Sequence, residues 1–277
     1  MKKFIYGILV FVLLGACQEE VFLELNTVQP QPVIEAFWTD VGIFNFVRLS
    51  KSKDFYSTET NEIIQDASVF IKNDETGEVF PFRFVEQGGR YIPVNNAAGE
   101  IGKAYSLHVA WGDNVYTASG VLQDAPVLDS IVYNFRDDRL FREQGYYLTL
   151  YGDIPFEDNN YYRLRVVRND TLLNNRNDYL LFDDSFGTSI LNRGFELSGF
   201  PFQANDRVRL ELFRLNRDAF DYLNQLVGLL FNDGGLFSPP PQNPASNIQL
   251  VTGEDQPLGY FKVSPVRTAT ITVAPDG

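Results

Sequence analysis

From Val33 onward, large apolar side chains return at every second position in short runs, the period of a strand with one buried face. The runs are Val33–Trp38, Ile43–Leu49, Ser68–Asn73, Val79–Val85, Ala104–Trp111 and Val115–Ala118. Tyr105, Leu107, Val109 and Trp111 share one face, and Phe80, Phe82 and Phe84 repeat in the same way, so both sets are expected in a core. Asp74-Glu75-Thr76-Gly77 and Gly88-Gly89 have the composition of hairpin turns. Asp124-Ala125-Pro126 then interrupts the pattern, because proline fixes the backbone and no strand signal crosses it. A second set follows: Leu128–Phe135, Tyr146–Gly152, Tyr161–Arg168, Arg207–Leu215 and Arg267–Val273. In Arg207–Leu215, Val208, Leu210 and Leu212 alternate with Arg207, Arg209 and Glu211, which predicts a sheet with one wet face.

One segment has a different period. Phe220, Leu223, Val227 and Leu230 recur at helical spacing after Asn216, a good cap, with Arg217 and Asp221 as an i,i+4 pair. A helix is therefore expected near 217–231, ended by Gly234-Gly235 and followed by irregular backbone at Pro239-Pro240-Pro241 and Pro244. Many short strands with one late helix predict a mainly β protein. Its expected form is two tandem antiparallel sandwiches of immunoglobulin or transthyretin-like kind, over 33–125 and 126–277.

The segment before Val33 has another character. Met1-Lys2-Lys3 is positive, Phe4 to Leu14 is continuously apolar, and Leu14-Gly15-Ala16-Cys17 closes with small residues before the chain's one cysteine. The apolar run falls short of the ~20 residues that a membrane span needs. Residues 1–16 thus read as a lipoprotein signal peptide and 17–32 as a lipidated tether, with the Cys17 thiol receiving diacylglycerol and its freed amine a further chain such as palmitate. At ~0.8 kcal/mol per buried CH₂, two or three chains anchor stably. Gln18-Glu19-Glu20 resembles the acidic signal that Bacteroidota place after the lipidated cysteine to export lipoproteins to the outer face of the outer membrane; the alternative is a solvated linker on the periplasmic leaflet.

Charge narrows the partners. The net charge is −13, or −15 without the leader and its two lysines, and such a surface repels nucleic acid. One Cys and one His allow no internal disulfide, thiolate zinc site or His-rich metal site. His108 falls opposite the apolar face of its strand, and no nucleophile-elbow, P-loop or dinucleotide motif is present. The acid pairs Asp137-Asp138, Glu157-Asp158 and Asp183-Asp184 could serve a glycan hydrolase, but each lies in a polar stretch without a surrounding motif. Calcium could use Glu157 to Asn160, or Asp178 with Asp183 and Asp184, though neither has EF-hand spacing. No catalytic residue, metal or cofactor is assigned.

Function is expected on loops. The long polar connection after Ser50 holds Phe55 and Tyr56, and the stretch from Asn232 to Ile248 holds Phe237. These rings are candidate contacts to a ligand or partner; the alternative is that they fold back over the sandwich ends. Asp129-Ser130-Ile131 and Asp170-Thr171-Leu172 resemble the sites at which Bacteroidota attach O-glycans, which makes Ser130 and Thr171 candidates for modification.

Landmarks along the whole chain resemble a Bacteroidota lipoprotein family known only as the domain of unknown function 4249 family. They are Val33-Ile34-Glu35-Ala36, Asp66-Ala67-Ser68-Val69, Gly102-Lys103-Ala104-Tyr105-Ser106-Leu107, Leu128-Asp129-Ser130-Ile131 and Phe220-Asp221-Tyr222-Leu223, then Asn243-Pro244-Ala245-Ser246-Asn247-Ile248 and Leu258-Gly259-Tyr260-Phe261. The family usually carries a second proline where this chain has Ala245. The resemblance implies an outer-membrane lipoprotein encoded beside TonB-dependent receptors, the gated barrels that import scarce nutrients. A non-enzymatic accessory of such a receptor, anchored on the cell-surface side, is accordingly expected; the alternatives are a carboxylate-dependent glycan hydrolase and a structural or adhesive surface module.

Cys17→Ala is expected to abolish acyl labelling and to leave the chain unprocessed or released on membrane fractionation. A variant still labelled and processed like wild type would remove the lipobox reading.

Overall fold

A computed structural model describes residues 29–54, 57–138, 140, 143–157, 159–185, 187–232 and 241–275. The first strands are β1 (Pro32–Trp38), β2 (Phe46–Lys51), β3 (Ser68–Asn73), β4 (Val79–Val85), β5 (Arg90–Pro93), β6 (Ala104–Trp111) and β7 (Asn114–Val121). Next come β8 (Val127–Arg136), β9 (Gly145–Asp153), β10 (Tyr161–Arg168), β11 (Thr171–Leu172), β12 (Leu180–Asp183), β13 (Phe195–Glu196) and β14 (Arg207–Leu215). The helix α1 (Arg217–Leu230) follows, then β15 (Gln249–Thr252), β16 (Leu258–Val263) and β17 (Val266–Thr272). The protein is mainly β, with curled, largely antiparallel sheets of the sandwich kind.

Alternation translates into burial as expected in the first half. Tyr105, Leu107 and Val109 are buried with Ile34, Ala36, Trp38, Val47 and Leu49 in one core, against which Phe80, Phe84 and Trp111 pack. Both predicted hairpin turns are present, between β3 and β4 and between β4 and β5. Ile43 departs from expectation. It lies in a short 3-10 turn, Gly42–Phe44, and is 73% exposed, so the strand starts only at Phe46.

The division at residue 125 meets a topology that crosses it. The order of the large sheet is β15-β7-β6-β3-β4-β5-β2-β1-β16, so its two outer strands come from the late part of the chain. β16 runs parallel to β1, pairing Ile34 with Gly259 and Ala36 with Phe261. Parallel pairing requires a long crossover, which here comprises everything between Trp38 and Leu258. The sheet curls until its ends approach: a Cβ added at Gly120 on β7 would lie 2.8 Å from Val263 on β16. Phe261 and Val263 accordingly belong to the first core.

Two of the family landmarks explain themselves here. Gly259 has φ +98°, and a Cβ there would meet the Ile34 carbonyl oxygen at 2.1 Å, so β16 can lie along β1 only with glycine at this position. On the other edge of β16, Asn247 acts as a one-residue strand. Its Nδ2 donates to the Phe261 carbonyl at 2.9 Å and its Oδ1 accepts from the Phe261 N–H at 2.9 Å.

After β16 the chain turns through Ser264-Pro265 into β17 and leaves the first sheet for the second, ordered β11-β10-β14-β17 with β12 also on β10. This sheet and the three-stranded sheet β13-β9-β8 enclose a second core around Leu148, Leu150, Leu164, Leu210 and Phe202. The turn is tied down on both sides. Ser264 N–H donates to the Trp38 carbonyl, and Asp40 accepts from Val266 N–H at 2.9 Å and pairs with Arg267 at 2.6 Å. Helix α1 is capped by Asn216, whose side chain accepts from Ala219 N–H, and it rests Leu223 and Ala219 against the junction while Leu230 stays 43% exposed.

Gly259→Ala is expected to cost about 3 kcal/mol, because it adds a clash with backbone to a strained φ. Thermal unfolding measures this; a melting temperature within a degree of wild type would show that β16 can shift along β1 freely.

Candidate functional site

The site grows out of strand register. On the second sheet, β10 and β14 set Arg163 opposite Phe213, Arg165 opposite Glu211 and Val167 opposite Arg209, while Thr268 on β17 lies opposite Glu211. The intervening residues, Leu164, Val166, Leu210 and Leu212, fill the second core, so the charged set points the other way. On the first sheet, β1 and β16 place Phe37 opposite Lys262, and β2 places Phe46 beside Phe37, with their rings stacked at 4.6 Å. These two faces meet. The Lys262 Nζ lies 3.9 Å from the Phe37 ring centre and 4.1 Å from that of Phe213.

The expected wet face of β14 is covered at Glu211, while Arg207 stays exposed and Arg209 partly so. Glu211 is fully buried, its Oε1 accepting from Arg209 Nε at 3.0 Å and its Oε2 lying 2.8 Å from Arg165 Nη2. Alternation reported correctly that these residues face away from the second core, but a second sheet occupies the place assigned to water. Arg163 stacks on Tyr179 at 5.1 Å, and burial, then the charge of Arg165, lowers its pKa to about 10. Burial pushes the Lys262 amine well below its ordinary range, helped by Arg163 and Arg165 and opposed by Glu211. The two aromatic faces offer an ammonium about 2 kcal/mol each at best, against several for its lost hydration, so burial prevails.

At the open side of this junction lies a groove of about 340 Å³. Val41, Ile43, Phe44 and Phe46, from the β1–β2 connection and the start of β2, form its apolar wall. Arg165, Arg209, Glu211 and Thr268, from the second sheet, form its polar wall, and Arg90 of β5 adds a guanidinium beside Phe46. Arg90 stands at 5.4 Å over the Phe46 ring. The groove was not visible from sequence; the only hint was arginine recurring at 163, 165, 207 and 209 in two strands of an acidic protein.

The residues singled out from sequence are distributed elsewhere. Cys17, Gln18, Glu19, Glu20, Phe55, Tyr56, Asp158 and Phe237 lie outside the described residues. The connection that carries Phe55 and Tyr56 is held at its far end: Ile64 is buried, and the Tyr91 hydroxyl donates to its carbonyl at 3.1 Å. Ser130 is exposed on β8, and Thr171 is exposed after the turn Asn169-Asp170, whose positive φ angles close the β10–β11 hairpin. His108 stacks on Phe70 across the β3–β6 pair at 4.6 Å, and burial followed by the charge of Lys72 lowers its pKa.

Of the acid pairs and calcium candidates, Asp178, Asp183 and Asp184 are engaged locally. Asp184 is buried and accepts from Asn160 N–H and Nδ2, both at 2.7 Å, while Asp183 accepts from Ser185. Asp178 closes a capping box with Asn175. Among the described residues no three His, Cys, Asp or Glu side chains are gathered as a metal site would need.

These features define a mainly β protein whose two sheet systems enclose a partly apolar, arginine-lined groove. The family described as "Domain of unknown function (DUF4249)" matches residues 18–270, and the chain belongs to that family. Among curated proteins, none matches the chain.

Lys262→Met is expected to stabilise the protein at pH 7 by about 1–3 kcal/mol. The amine's pKa is depressed on folding, so the unfolded chain binds more protons and stability rises with pH from the folded value to the ordinary 10.5. The stabilisation by methionine should therefore shrink toward pH 10. Melting temperatures of both proteins at pH 7 and 10 check this, and an equal difference at the two values would exclude an abnormal amine.

Proposed function

We propose that the protein is a non-enzymatic, lipid-anchored accessory of the outer-membrane surface that captures a ligand in the groove and delivers it to a TonB-dependent receptor. The groove carries this reading. It sets an apolar wall against several guanidinium groups on strands braced by both cores, and Ile43 lies largely exposed in that apolar wall. Rigid flanking sheets limit the ordering that binding costs. The anchor is supported by the Leu14-Gly15-Ala16-Cys17 sequence, outward placement by Gln18-Glu19-Glu20, and the receptor by the gene context that the family resemblance implies. A glycan hydrolase is the weaker reading, because Asp183 and Asp184 already serve Ser185 and Asn160.

Affinity purification of the tagged full chain from detergent-solubilised outer membranes is expected to recover a barrel protein in stoichiometric amount. Recovery of the lipoprotein alone would overturn the partnership. Glycan turnover that disappears when an acid pair is changed to amides would favour the enzyme.

A further inference from the structure

We propose that the groove binds a carboxylate carrying an apolar group about the size of one or two amino-acid side chains. The inference rests on the ligand-capture part of the reading above and adds the class of ligand. It starts from an imbalance of charge. The lining holds three arginines, Arg90, Arg165 and Arg209, and one carboxylate, Glu211, so the groove carries two positive charges in excess on a protein whose net charge is −13. A cation is disfavoured there, and an anion is drawn in against the sign of the whole molecule.

The donors are available. Glu211 takes one nitrogen of Arg209 at 3.0 Å and one of Arg165 at 2.8 Å, leaving the rest of each five-donor guanidinium. Arg165 Nε, itself buried, has no hydrogen-bond partner among the described residues. Arg90 is exposed and stands over the Phe46 ring, with a guanidinium that carries five donors. Glu211 thus holds two of the forks in place and does not saturate them. A planar carboxylate can take two parallel bonds from one such fork.

The opposite wall excludes a small inorganic anion as the best occupant. Val41, Ile43, Phe44 and Phe46 would stay wet beside phosphate, whereas an apolar group attached to the carboxylate would cover them. The cavity of about 340 Å³ is at the small end for ligand sites, which suits one or two side chains. A peptide C-terminus and a medium-chain fatty acid share this chemistry.

The test uses the full chain in lipid nanodiscs, titrated calorimetrically with N-acetyl-leucyl-phenylalanine, its C-terminal amide, decanoate and inorganic phosphate, with empty nanodiscs subtracted. At least one of the two apolar carboxylates is expected to bind, at least about tenfold more tightly than the amide or phosphate. Which of them binds better identifies the source. Arg90→Gln and Ile43→Glu, both at exposed positions, should each weaken binding about tenfold or more with the melting temperature unchanged, while Ile43→Leu retains it. Equal binding of acid and amide, phosphate binding as tight as either carboxylate, or no heat from both carboxylates would overturn the proposal. If a barrel still co-purified in that case, the ligand class would fall while the receptor partnership stood.

Discussion

The parallel pairing of β16 with β1 is the contact on which the other features depend, because one six-residue strand belongs to both halves of the molecule at once. One face of β16 gives Phe261 and Val263 to the first core, and the other turns Tyr260 and Lys262 toward the second sheet. Through Ser264-Pro265 the same strand leads directly into β17, so the two sheets cannot drift apart without breaking a ladder. Loop closure on this scale costs entropy, though only logarithmically in length, and the closure is offset by apolar surface buried on both faces of one strand. Asn247 and Gly259 are the local conditions for the arrangement, one completing the hydrogen bonds of the outer edge and the other admitting the neighbouring backbone on the inner edge.

That shared strand also creates an electrostatic problem. Bringing the outer faces of two sheets together removes Glu211 and Lys262 from water and partly buries Arg163 and Arg165, with three bases to one acid. The structure meets the cost in two ways: aromatic faces on Lys262, Arg163 and Arg165, and a displaced amine pKa at Lys262. What is not neutralised inside reaches the groove, where Arg90 and Arg209 add to it. The feature that makes the junction costly is therefore the one that gives the groove its sign. A chain selected for stability alone would place apolar residues at these positions.

The fold class was largely legible in the sequence, since period-two alternation and turn chemistry are local properties. Ser68–Asn73, Val79–Val85, Ala104–Trp111, Tyr161–Arg168 and Arg207–Leu215 form strands with the bounds that alternation predicts, and Asn216 caps the helix as its side chain suggests. β16 went unread because Leu258-Gly259-Tyr260-Phe261-Lys262-Val263 does not alternate: Tyr260 to Val263 are all buried, as a strand covered on both sides requires.

The amino-acid sequence by itself determined most of the strands, and which face of each is apolar, because both follow from neighbouring residues and bond geometry. It also carried the family landmarks. Only the tertiary structure decided that β15 and β16 complete the first sheet, that Glu211 on the polar face of β14 meets protein instead of water, and that Arg90 lines one groove with Arg165 and Arg209. The physical reason is that alternation tells which side of a strand a residue occupies but not what lies on that side. Covering it depends on contacts between residues far apart in the chain, such as Phe37 with Lys262 and Phe44 with Phe213.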